Sequence, residues 1–219
     1  MLEKRTLGKT DIKVSPIGIG VMMWMGGKGI IGRIAPDVSD DVKNDIIKES
    51  FAGGINFFDT AEMYGFGRSE ANLAKALKAN SIEDKDVIIE TKWNPFFRRA
   101  RNMRRTINKR IHYLYGYTID LYMVHQPISF SSIKTEMKEL ARLLEDNKIK
   151  SIGISNYNAE KMRKAHEELE KLGIPLAANQ VQYSLVHRNI ESNGILDAAK
   201  ELGITITAYT PLAAGLLTG

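Results

Sequence analysis

Cysteine is absent from this chain of 219 residues, which excludes disulfides, cysteine metal sites and a cysteine nucleophile. No apolar run reaches the length of a bilayer span, and the opening Met1-Leu-Glu-Lys-Arg lacks the apolar core of a signal peptide. Both absences fit a cytoplasmic protein that makes no membrane contact. Low-complexity tracts, linker-like segments and internal repeats are also missing, so residues 1–219 read as one domain, long enough to bury a substantial core. A strong charge imbalance is lacking as well. The formal net charge of +5 suits an anionic small molecule as readily as a nucleic acid.

One basic cluster stands out, FFRRARNMRRTINKR from Phe96 to Arg110. Arginines beside two aromatics are a combination that binds RNA or phosphates. The plainer reading is a loop leading into a solvated helix, because Met103, Ile107, Ile111 and Leu114 recur at helical spacing. With no nucleic-acid module around it, the helix reading is preferred and no nucleic-acid partner is expected.

What the sequence does contain is a regular alternation of apolar runs and amphipathic stretches. The runs are VSPIGIG from Val14, INFFDTA from Ile55, DVIIETK from Asp86, IDLYMVH from Ile119, IKSIGIS from Ile149, AANQVQYS from Ala177 and ITITAYT from Ile204. Most are continuously apolar, as parallel strands covered on both faces must be. Helices are expected after a Ser39 cap, after a Ser69 cap, over Ser132 to Asn147, over Asn158 to Leu172, and ending near Leu202. A long glycine-containing loop follows the first strand. KRTLGKTDIKVS, at the beginning, reads as a hairpin turning at Gly8 to Asp11 and covering the bottom of the fold.

Strand–helix alternation means a parallel sheet, either open and doubly wound or closed into a (β/α) barrel. GIGVMMWMGG after the first strand lacks the G-x-G-x-x-G spacing of a dinucleotide-binding open sheet. The α/β fold expected is therefore a TIM-type barrel.

Barrel chemistry sits at the carboxyl ends of the strands. Asp59 ends the second strand with Tyr64 in the loop beyond, Lys92 ends the third, and His125 ends the fourth. Singly, each has an ordinary explanation: a turn cap, surface packing, a snorkelling lysine, a hydrogen-bonded core histidine. At three adjacent strand ends they form a coherent set. A phenol is a weak acid at neutral pH, and a nearby ammonium should lower its pKa. Asp59 can hold Lys92, and His125 can orient a carbonyl oxygen. Neither a metal-ligand cluster nor a serine hydrolase elbow is present, so a hydride would come from an organic cofactor.

These stretches resemble the aldo-keto reductase superfamily, through GGINFFDTAEMYGFGRSE, IIETKW, IDLYMVHQP, IGISNYN, NQVQYSLVHR and AYTPLAAGLLTG, over nearly the whole chain. The style is that of the branch containing the potassium-channel β subunits and the bacterial and archaeal enzymes. The resemblance implies a (β/α)8 barrel and a catalytic tetrad of Asp59, Tyr64, Lys92 and His125, with Tyr64 as general acid. It also implies NADPH (NADP+) lying across the barrel mouth. Ser155, Asn156 and Gln180 would meet the nicotinamide carboxamide and Tyr209 would stack on its ring. Thr210, Pro211, Leu212 and Gly215 would follow the pyrophosphate, and Gly20, Val21 and Met22 would lie near the ribose. Trp24 and Trp93 are candidates for the substrate pocket, or for packing at a loop base. The implied partner is a small-molecule aldehyde or ketone. The channel subunits supply an alternative, a cofactor-binding regulatory module with little turnover.

Seven strands can be counted where the family has eight, so the chain reads as C-terminally incomplete. The implied consequences are a choice between NADPH and NADH left open, possible self-association across the open barrel edge, and, as a further alternative, an inactive fragment.

Overall fold

The computed structural model describes residues 2–26 and 38–218, so most of the expected glycine-containing loop lies outside the described residues. The chain starts with a hairpin in which β1 (Arg5–Thr6) pairs antiparallel with β2 (Lys13–Val14). Val14 therefore belongs to the hairpin, and the first barrel strand is shorter than the apolar run suggested. That strand is β3 (Gly18–Gly20), followed by β4 (Phe57–Asp59), β5 (Ile88–Trp93) and β6 (Leu121–Val124). β7 (Ser151–Ser155), β8 (Leu176–Gln182) and β9 (Thr205–Tyr209) complete the set. All seven from β3 to β9 pair in parallel and in sequence order, forming a curled, TIM-type half-barrel.

Among the described residues, six helices make the crossovers, as parallel neighbours require. They are α1 (Asp40–Ala52), α2 (Arg68–Ala79), α3 (Asn102–Tyr113), α4 (Ile133–Glu145), α5 (Ala159–Glu170) and α6 (Ile195–Leu202). Ser39 caps α1 by accepting from the Val42 amide at 3.3 Å, and Asn158 caps α5 by accepting from Lys161 at 2.9 Å. Ser69 does not cap α2. The helix begins one residue earlier, with Gly67 in the left-handed region at φ 103° as its cap. The basic stretch forms a loop and α3, in which Met103 and Ile107 are buried, as is Leu114 just beyond the helix. The helix reading of that cluster holds.

Side chains alternate between two cores because a strand has a period of two. Along β5, Ile89 and Trp93 pack outward into the main cluster between sheet and helices, while Ile88 packs into a smaller cluster inside the barrel. That inner cluster also holds Leu7 and Val14 of the hairpin region with Phe57, Leu121 and Met123. The hairpin thus plugs the bottom. Its Gly8 amide donates to Thr205 Oγ1 at 2.7 Å. Gly8 has φ +54°, and a Cβ there would lie 2.4 Å from the Ala177 carbonyl oxygen. Gly8→Ala is expected to cost about 1–3 kcal/mol, from backbone strain and the clash. A lowered urea midpoint at unchanged slope checks it; a wild-type midpoint would mean the hairpin is not seated on β8.

β3 and β9 are the outer strands of the sheet. β9 is half-exposed along most of its length, whereas β7 is buried throughout. None of the described helices is long and apolar enough to cross a membrane.

Candidate active site at the carboxyl ends of the strands

The backbone ladder continues past the strands and fixes where their ends point. Val21 N donates to Asp59 O at 2.9 Å, Glu62 N to Lys92 O at 3.0 Å, and His125 N to Trp93 O at 3.1 Å. The loop after β4 is held by Ser69, whose hydroxyl donates to the Val21 carbonyl at 2.7 Å and accepts from Thr60 at 3.0 Å. Its backbone amide donates to the Tyr64 carbonyl at 3.2 Å. Ser69 thereby connects the ends of β3 and β4 to the turn that carries Tyr64. Glu62 adds a brace from the β5 side, accepting from Asn94 N at 2.9 Å and Arg98 Nη1 at 2.8 Å.

On this frame the four tetrad candidates converge. Lys92 is fully buried, and its Nζ contacts Asp59 Oδ1, the Thr60 carbonyl at 3.0 Å and Glu90 Oε1 at 3.1 Å. It also lies 5.6 Å from the centre of the Tyr64 ring. The Tyr64 and His125 rings meet edge to face, with centroids 5.8 Å apart at 84°.

Electrostatics corrects one expectation. Burial raises the Tyr64 phenol to about 12, and the opposing pull of Lys92 is smaller. Tyr64 is therefore a neutral phenol at pH 7, with its proton in place. His125 is pushed down to about 4, first by burial and then by the Lys92 charge, so its imidazole is neutral too. Burial acts against the charge on Lys92, but the carboxylates of Asp59 and Glu90 outweigh it and raise its pKa.

Glu90 escaped the sequence reading. It sits two residues before Lys92 on the same face of β5, fully buried, and burial raises its carboxyl to about 8. The Gln180 side-chain amide spans both acids, donating to Asp59 Oδ2 at 3.1 Å and Glu90 Oε1 at 2.8 Å. The available signal was a lone acid inside an apolar run, IIETK.

A model of the aldo/keto reductase family matches residues 16–219. The chain belongs to that family. It is 32% identical to probable aldo-keto reductase 1 of Glycine max, covering 97% of this chain and 60% of that protein. It is also 32% identical to aldo-keto reductase YhdN of Bacillus subtilis, covering 100% of this chain and 64% of that one. The chain thus spans less than two thirds of the length of these curated relatives. Among solved structures, a thermostable aldo-keto reductase, Tm1743, in complex with epalrestat superposes with a TM-score of 0.85 at 27% identity. That match covers 99% of this chain and 75% of the other. The glycerol dehydrogenase AKR11B4 of Gluconobacter oxydans gives a TM-score of 0.79 at 29% identity over 98% of this chain and 65% of that one.

The remaining candidates divide between those at the mouth of this aldo/keto reductase half-barrel and those inside its walls. Ser155, Asn156 and Tyr209 form one hydrogen-bonded group. Asn156 Nδ2 donates to Ser155 Oγ at 3.0 Å and to the His125 carbonyl at 3.1 Å, and Tyr209 Oη donates to Asn156 Oδ1 at 2.9 Å. Asn156 and Thr210 are held at positive φ, 63° and 55°, which turns the chain sharply at both strand ends. Thr210, Pro211, Leu212 and Gly215 are exposed just beyond β9. Gly20 ends β3 with open space where a Cβ would stand, and Met22 is exposed beside it. A flat, amide-bearing ring fits such a mouth, with amide partners on one side and the half-buried Tyr209 close by.

Three candidates fit less well. Val21 is fully buried, its amide donating to Asp59 and its carbonyl accepting from Ser69 and from Trp24 N at 2.9 Å. Trp93 lies on the outward face of β5, fully buried, and its indole N–H donates to Asn102 of α3 at 3.2 Å. Trp24 is buried in the same outer core, its carbonyl accepting from Asn72 at 2.6 Å. Both tryptophans pack into the main cluster between sheet and helices, the loop-base packing that was the other reading of them. The strand period explains Trp93, since Lys92 points inward and its neighbour must point outward.

Proposed function

We propose that the site reduces aldehydes or ketones to alcohols by hydride transfer from NADPH, with Tyr64 as general acid. The observation that carries this reading is the convergence of a neutral phenol, a neutral imidazole and a buried ammonium at adjacent strand ends. A carbonyl oxygen placed between Tyr64 and His125 would accept from both. His125 would orient it, and the Tyr64 hydroxyl would give up its proton as negative charge develops on that oxygen. Lys92 would stabilise the phenolate left behind, and Asp59 would hold Lys92 in place. Ser155, Asn156 and Gln180 would hold the nicotinamide carboxamide, Tyr209 its ring, and Thr210 to Gly215 the phosphates. NADPH, when bound, supplies the hydride.

The test is fluorescence titration of the 219-residue chain with NADPH, followed by NADPH oxidation with a reactive generic aldehyde. Low-micromolar binding with turnover that depends on Tyr64 is the expected result. Binding without turnover would replace it with a cofactor-holding module, and absence of binding would remove both.

A further inference from the structure

One buried acid in the site has no part in the scheme above. Glu90 is fully buried inside the barrel, directly beneath the Asp59–Lys92 pair. Its Oε1 is shared between Lys92 Nζ at 3.1 Å and Gln180 Nε2 at 2.8 Å, and its Oε2 has no partner among the described residues. Around Lys92 Nζ stand three oxygens, from Asp59, Thr60 and Glu90, which match the three protons of an ammonium. One ammonium cannot neutralise two carboxylates, so one acid of the pair must be neutral for the cluster to balance. Asp59 retains some solvent contact at 18% side-chain exposure, whereas Glu90 has none. The proton therefore resides on Glu90, and Oε2 is the oxygen free to carry it.

We propose, building on the reductase reading, that Glu90 is a positioning residue for the Tyr64 acid: protonated, it leaves Lys92 free to stabilise the phenolate, and ionised, it draws that charge away. With Glu90 neutral, Asp59 and Lys92 sum to zero and Tyr64 sees an ammonium held by one carboxylate. With Glu90 ionised, the buried cluster carries a net negative charge, which opposes a second negative charge on Tyr64. The groups facing Glu90 are Asp59 from β4, Lys92 on its own strand and Gln180 from β8, with Tyr64 and His125 above Lys92. Its register neighbour on β6 is Leu121, and Gln180 is paired on β9 with Thr207, both uncharged. Burial places the Glu90 transition near pH 8, inside the working range of an assay.

The device is directional. Below that pH the phenol can release its proton to a substrate oxygen; above it, reduction falls because the same release is opposed. A tenfold loss is expected about one pH unit above the midpoint, the fall in the protonated fraction of a single group.

The experiment reads Tyr64 directly, without turnover. The chain is labelled with ring-¹³C tyrosine, and the Tyr64 Cζ resonance, assigned by its loss in Tyr64→Phe, is followed from pH 6 to 10. The expected result is a shift with a midpoint near 8 in wild type, abolished in Glu90→Gln. A resonance that does not move over this range, or that moves identically in Glu90→Gln, overturns the proposal. Should Glu90→Gln fail to fold, Gln180→Leu carries the test. Removing a hydrogen bond to the ionised carboxylate should move the midpoint upward, and an unmoved midpoint overturns the proposal equally. In parallel, the alkaline limb of kcat/KM should move in Glu90→Gln. Absence of any turnover would count against the reductase reading alone, because the resonance still reports whether Glu90 acts on Tyr64.

Discussion

Tyr64→Phe is expected to lower kcat for aldehyde reduction by about 10²- to 10⁴-fold, the range a lost general acid typically costs, while NADPH still binds. The substitution keeps the ring and its edge-to-face contact with His125, whose centroid lies 5.8 Å away, so the wall of the mouth stays intact. What disappears is the hydroxyl. His125 does not replace it as an acid, because its pKa of about 4 leaves almost no imidazolium at neutral pH. The prediction is checked by steady-state kinetics beside a fluorescence titration. A variant with most of its kcat retained would move the acid elsewhere; one that no longer bound NADPH would mean the hydroxyl itself holds the cofactor.

Lys92→Met should be the most damaging substitution to stability in the site. Methionine nearly fills the volume of the stem but removes the charge that the Asp59 and Glu90 carboxyls share. Leaving one partner of a buried pair alone typically costs about 3–5 kcal/mol. The cost must depend on pH, and its sign follows from linkage. Without the ammonium, the folded-state pKa of Glu90, already raised by burial, rises further, because the Lys92 charge that opposes burial is gone. Stability is then present while Glu90 is protonated and lost as pH rises. In wild type, Glu90 already shows this behaviour, with stability lost between its unfolded range near 4.5 and its folded value near 8. The gap between Lys92→Met and wild type should therefore widen from pH 8, where the wild-type loss levels off, toward pH 10 in urea melts. A gap that stayed constant would mean the Glu90 carboxyl does not depend on Lys92. Turnover should fall as well, because the Tyr64 phenolate would form next to two acids with no cation near it.

Much of this molecule could be read from the order of its residues. Continuously apolar runs gave seven parallel strands, and the amphipathic stretches between them gave the crossover helices, because covered strands and one-sided helices have different periods. Asp59, Tyr64, Lys92 and His125 were legible as a group because each follows an apolar run, and strand ends converge in a barrel. The loop and helix within the Phe96–Arg110 cluster were legible the same way, from the helical spacing of Met103 and Ile107.

Tertiary structure decided the rest. Which face of β5 a residue occupies is set by strand register, and that register turned Trp93 into the wall and Glu90 into the site. Val21 looked available until the ladder and Ser69 claimed its backbone groups. The sign of the Tyr64 shift could not be read from its neighbours in sequence, because burial and the lysine oppose each other and their balance depends on depth. Sequence determined which groups arrive at the mouth, since chain order and period suffice for that. Depth, register and shared hydrogen bonds determined their protonation, since those belong to the folded three-dimensional arrangement.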